Sequence, residues 1–412
     1  MYAAECAQPT PESDMMQKIL RYMPAANVMK LFVLVGIVWA AVLGPASFVL
    51  VLTDVGATNS QIGIFAAIAS VLSVVFQPVW GMLSDKLRSP RKVLSFCLIG
   101  SGIFFGSVLF SDNFYVVVAL LLLDAIARCG VIALLDSHTV TEVSKVPGLQ
   151  YSHVRFAGSI FFGLLSFAYS GIIDNSGVRM IIPISAAVAA FAVFWGLFVC
   201  RPAKQNAGAE ATHVKPNLKK DAISLLKDKQ YILLLVSIGF MALGAQPLWI
   251  FMVEFLARVG GSLGDVPRVG ALRCVTEIPV FIFIAVVCKN TAPKKLMITG
   301  AIFMLLYVVV LFFADSFFWI AAAHMFGGTP GFIFLLTGRL RYVNEATPES
   351  VRSTSITLMG TMEVALGSIL GSLVGGFVLD IYGTRMLTML SFVAISASIV
   401  ILMFLKRRTN TV

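Results

Sequence analysis

The chain has 412 residues, 58% of them hydrophobic and 13% charged, with a formal net charge of +10. Soluble globular domains carry about 25% charged residues, so a surface facing water on every side is excluded. The six cysteines form no CxxC pair and fall mostly in apolar stretches, which argues against a disulfide framework or a thiolate metal site.

Residues 1–28 carry Glu5, Glu12, Asp14, Lys18 and Arg21 and contain no apolar core, so no cleavable signal peptide is expected. Twelve apolar runs follow, near 30–53, 60–82, 93–111, 114–136, 154–173, 180–200, 231–256, 269–288, 296–314, 317–338, 353–379 and 386–405. Runs of this length span a bilayer, and lipid offers their backbones no hydrogen bonds, so each is expected to be a helix. The short alternating segments of a β-barrel are not seen.

The longest polar stretch, 201–230, separates six runs from six. The expected layout is a tail (1–28), a six-helix bundle (29–200), a linker (201–230), a second six-helix bundle (231–405) and a tail (406–412). Such an all-α membrane protein has the layout of a two-bundle secondary transporter. Most Lys and Arg, including Arg91, Lys92, Arg339 and Arg341, fall in loops on the N-terminal side, whereas the opposite loops hold Arg179, Arg258, Arg268 and Arg385. Both termini are therefore expected to be cytoplasmic, in a plasma or inner membrane. That asymmetry accounts for the net charge, and no nucleic-acid partner is expected.

Residues 81–92, "GMLSDKLRSPRK", place Gly81, Leu83, Asp85, Arg91 and Lys92 in a short basic loop after the second run. This resembles the loop between helices two and three of the major facilitator superfamily, although Pro90 departs from the usual pattern. The resemblance implies a gating loop, with Gly81 allowing close helix approach and Asp85 facing a helix N-terminus or a basic side chain. Four further pieces resemble the lactose-permease-like branch of oligosaccharide and nucleoside proton symporters. They are "YSHVRFAGSI" (151–160), "RCVTEIPVFIF" (273–283), "AAHMFGGTPGF" (322–332) and "TPESVRSTSITLMG" (347–360). The resemblance implies the major facilitator fold and a proton-coupled carrier of a sugar, oligosaccharide or nucleoside, acting as a monomer without a cofactor.

Ionisable groups inside apolar runs cost about 2.5–3.5 kcal/mol or more and mark candidate sites. Arg155 opens an otherwise uncharged run and has Asp136 as a candidate partner; the resemblance implies that Arg155 binds substrate and Asp136 orients it. Phe162, two turns on, offers an aromatic face. Glu277 lies mid-run with Arg273 one turn earlier, so an i,i+4 pair is expected. The resemblance gives Glu277 a substrate contact and places His324 facing the cavity. Asp124 and Arg128 form a second i,i+4 pair, expected to be structural, and Glu254 and Arg258 a third at the outer end of the seventh run.

Two parts of the branch's proton site are missing. Gly327 stands where it carries a carboxylate, and Met304 where it carries an arginine. Glu363, buried in the eleventh run, or Glu277 is the expected proton carrier. An uncoupled facilitator or an exporter of drugs or metabolites with the same fold is the rival reading. A membrane enzyme is not expected: no nucleotide-binding P-loop and no metal-spaced His/Cys/acid cluster is present.

Overall fold

The computed structural model describes residues 25–144, 146, 149, 151–199 and 225–406. The predicted tails up to residue 24 and from residue 407, and the linker from 201 to 224, lie outside the described residues. Among the described residues there is no strand, and eleven helices are long and apolar enough to cross a membrane. They are α1 (Asn27–Asp54), α2 (Asn59–Leu87), α3 (Pro90–Phe110), α4 (Phe114–Val143), α5 (Val154–Ser176), α6 (Val178–Val199), α7 (Lys229–Ile250), α8 (Asp265–Val286), α9 (Pro293–Phe313) and α10 (Phe317–Ala346), with the 51-residue Thr354–Phe404 last. That last helix turns at Gly383, whose φ of 73° and ψ of −176° suit only a residue without a Cβ. It is two spans, α11 (349–382) and α12 (384–404), so the twelve expected helices are present.

Local signals set the helix ends. Thr58 and Gln61 form a capping box at the start of α2, and Asn113 caps α4 through the amides of Tyr115 and Val116. Pro90 and Pro293 occupy first-turn positions, where a missing N–H costs nothing. Three helices outrun their apolar signal. α4 continues to Val143, α10 to Ala346, and α11 starts at Glu349. Arg339 and Arg341, expected in a basic loop, are therefore helical, because a helix propagates past the last apolar residue until its backbone meets a stop.

α1 packs on α5 and α6, α3 on α4 and α6, and α2 on α4; in the second half α7 packs on α11 and α9 on α10. The expected Asp124–Arg128 pair forms, with Nε 3.1 Å from Oδ2, and Ser101 of α3 donates to the same carboxylate. Asp124 is 1% exposed and ties α3 to α4. Gly367, Gly371 and Gly375 seat α11 against Ala242, Pro247 and Phe251 of α7 and its extension Met252–Arg258, where added Cβ atoms would crowd their neighbours. Glu254 and Arg258 do not pair. Arg258 instead donates to the carbonyls of Leu311 (2.7 Å) and Ala314 (2.9 Å), satisfying acceptors left open at the end of α9.

The halves meet along α2–α11 and α5–α8. These seams are tight on the face opposite the start of α1. Asp380 of α11 accepts from the amides of Asn59 (3.0 Å) and Ser60 (2.8 Å) at the N-terminus of α2. Asp174 of α5 accepts from Ser262 (2.6 Å) and from Arg268 of α8 (2.8 Å). One buried cluster crosses both halves there, joining Ile62, Phe65 and Tyr169 to Phe251 and Val269. Towards the other, basic face the helix surfaces carry uncrowded glycines. At Gly81 of α2 and Gly360 of α11 a Cβ would find nothing within 4 Å. The bonds of Asp380 and Asp174 fasten the halves on the opposite face.

Candidate functional site

A cavity with both polar and apolar walls in the second half grows from α7 and α8. Pro247 breaks the hydrogen-bond ladder of α7, and Trp249 stands two residues beyond it. The guanidinium of Arg273 lies flat over the Trp249 ring, 3.6 Å from its centroid. Trp249 meets the His324 ring edge-on at 5.4 Å, and the Tyr307 hydroxyl lies 3.2 Å from His324 Nε2. His324 is 1% exposed, and its Nδ1 has no hydrogen-bond partner. It thus stands behind Tyr307 and Trp249 and is not part of the cavity wall.

α10 and α11 complete the cavity. Glu363 accepts from Arg339 across 2.7 Å, with both side chains partly exposed. Glu363 opens the π-helical stretch Glu363–Gly371, and His324 opens another, His324–Gly328. Such widened turns recur where side chains must be re-aimed at a site. Gln246, Trp249, Arg273, Arg339 and Glu363 line a cavity of about 240 Å³, with apolar side chains between them. Met304 lines it too, so guanidinium groups enter from α8 and α10 where the resembled branch would bring one from α9.

Glu277 is half-buried one turn beyond Arg273. The expected i,i+4 ion pair does not form, because Arg273 reaches across to the indole of α7 and leaves Glu277 behind it. A second cluster lies in the first half. Arg155 stacks over Trp39 of α1 at 3.9 Å, and Gly158 makes room, since a Cβ there would collide with both side chains. Asp136 accepts from the Tyr151 hydroxyl at 2.7 Å and feels the charge of Arg155 without forming an ion pair with it. Phe162 packs, half-buried, against the main core beside Gly163, where α5 meets Cys274 of α8. Arg155, Asp136, Phe162, Glu277 and His324 do not border the 240 Å³ cavity; of the acids singled out by sequence, Glu363 does.

The expected loop shrinks to Arg88 and Ser89: Gly81 and Asp85 lie in the last turns of α2 and Arg91 and Lys92 in the first turn of α3. Asp85 and Lys92 are exposed, and Arg91 donates to the Gly196 carbonyl of α6 at 3.3 Å. Trp39, Trp249, Tyr307 and Arg339 carry much of the geometry and were not singled out by sequence. A tryptophan beside a mid-span proline was the one available signal for Trp249; Arg339 was hidden by the short apolar estimate of α10.

The sequence profile of the MFS_1 like family matches residues 32–390. An uncharacterized transporter of Bacillus subtilis (strain 168), YwbF, is 24% identical over 328 residues, covering 78% of this chain and 79% of its own. Maltose permease of Geobacillus stearothermophilus is 22% identical over 378 residues, covering 86% and 88%. The crystal structure of the nucleoside transporter NupG matches the fold with a TM-score of 0.74 at 17% identity, over 91% of this chain and 97% of that one. A mutant form of the same transporter gives a TM-score of 0.76 over 91% and 98%. A profile spanning nearly all the helices, on a fold of twelve helices meeting at α2–α11 and α5–α8, makes this chain a member of the MFS_1 like family and a membrane transporter of the major facilitator superfamily.

Proposed function

We propose that this transporter moves a small polar solute of the sugar, oligosaccharide or nucleoside kind, coupled to protons, by alternating access. The observation that carries this reading is the Arg339–Glu363 pair on the wall of the cavity. A carboxylate placed there can exchange a proton with the basic face, and protonation would free Arg339 for the solute. The names of two relatives, a maltose permease and a nucleoside transporter, support the solute class.

In this reading the halves 29–200 and 231–405 rock as units about the cavity, and the basic face is cytoplasmic. Arg155, Asp136 and Phe162 meet the solute when the first half closes over it, and Glu277 flanks Arg273 from α8. The turn between α2 and α3, flanked by Gly81, Asp85, Arg91 and Lys92, engages when the basic face shuts, and Asp85 stands exposed for it. The protein works as a monomer in the bilayer. The test is uptake of labelled sugars and nucleosides into proteoliposomes with and without an imposed pH gradient. Glu363→Gln is expected to abolish gradient-driven accumulation by more than about tenfold while exchange of solute across the membrane persists. Full accumulation by the variant removes Glu363 from the coupling role.

A further inference from the structure

The charges on the cavity wall do not cancel. Arg339 and Glu363 neutralise each other across 2.7 Å, which leaves Arg273. None of its nitrogens comes within 4.0 Å of a carboxylate oxygen among the described residues. Glu277, the nearest acid along its helix, acts on it through space without coming into ion-pair contact. The Nε of Arg273 is buried without a hydrogen-bond partner. Stacking on Trp249 satisfies the flat face of the guanidinium, yet it leaves the in-plane N–H groups unused. The half-buried guanidinium borders the cavity, and its unmet buried Nε–H is stabilised when an acceptor arrives there.

We infer that the transported solute carries a carboxylate, received edge-on by Arg273, so that the substrate is an acidic sugar or a comparable sugar-derived organic acid. The inference rests on the transport reading above and narrows its substrate class. A planar carboxylate matches the guanidinium edge with two parallel hydrogen bonds. While Glu363 holds Arg339, Arg273 is the lining cation left to receive the solute, and uptake of glucose 6-phosphate tests a doubly charged ester against the carboxylate. The rest of the solute then lies against the Met241, Phe332 and Leu335 side of the cavity.

The experiment measures uptake of glucose, glucuronate, glucose 6-phosphate and uridine by the purified protein in proteoliposomes. Glucuronate is expected to exceed glucose by at least about tenfold, with Arg273→Gln erasing the preference and Arg273→Lys retaining part of it. Thermal unfolding of both variants confirms that they remain folded. Uptake of glucose or uridine at or above the level of glucuronate overturns the carboxylate while leaving sugar or nucleoside transport standing. A preference for glucose 6-phosphate, or one that survives Arg273→Gln, overturns it equally. Uptake of none of the four removes the transport reading itself, and this inference with it.

Discussion

Asp124 shows what a single charge can do in lipid when every bond is met. Its carboxylate is almost fully buried and accepts from Arg128 and Ser101, so two helices are fastened at one point. Asp124→Ala leaves both donors without an acceptor, and the expected loss is about 1–3 kcal/mol for each stranded polar group. Ser101→Ala removes one donor only and is expected to cost less. Thermal unfolding in detergent ranks the two; equal midpoints for wild type and Asp124→Ala would discard the fastening role. This pair was legible because both members share a helix face. Arg155, Glu277 and Glu363 were legible as charges in apolar runs, but their neighbours were not. Arg155 rests on Trp39, Arg273 on Trp249 and Glu363 on Arg339, each from another helix. Spacing along one chain encodes helix faces, and it does not encode which foreign helix a face will meet.

Helices were read well in number and less well in extent. Hydropathy marks the part of a helix that touches lipid or core, and the polar continuations of α4 and α10 towards the basic face fall outside it. Arg339 owes its position to one of those continuations. The seams between the halves depend on small residues that composition does not single out. Gly63 of α2 lies against the Ser372 carbonyl of α11, where a Cβ would collide with backbone. A side chain at that point cannot be relieved by a rotamer change, since the obstacle is a carbonyl group. Gly63→Leu is therefore expected to wedge α2 from α11 and hold the opposite face open, lowering uptake by more than about tenfold through blocked closure. Accessibility of that face to a membrane-impermeant thiol reagent should rise in parallel. Normal uptake by the variant would mean that α2 and α11 need not approach this closely.

At the scale of the whole molecule, closure of the opposite face is a balance of modest terms. Asp174 joins α5 to Ser262 and to Arg268 of α8, and Asp265 bonds the same guanidinium. Asp174 and Arg268 are 29% and 36% exposed, so water screens their attraction. A partly exposed pair of this kind contributes roughly 1 kcal/mol or less. That is enough to tilt two states and too little to trap one, which is what a carrier that must reopen on every cycle requires. Asp380, holding two amides of α2, acts on the other seam in the same sense. Asp174→Asn is expected to raise the population open to the opposite face by no more than about fivefold, the shift that about 1 kcal/mol allows. Ser166 of α5 is fully buried and faces Gly270 of α8 inside this seam. Ser166→Cys, in a chain otherwise freed of cysteine, therefore reports opening through its rate of maleimide labelling. The rate should increase with Asp174→Asn, and adding Arg268→Gln should raise it little further, because both changes remove one interaction. An unchanged rate in Asp174→Asn would place the barrier to opening in the apolar packing of Ile62, Phe65, Tyr169 and Val269 and make the ion pair incidental to it.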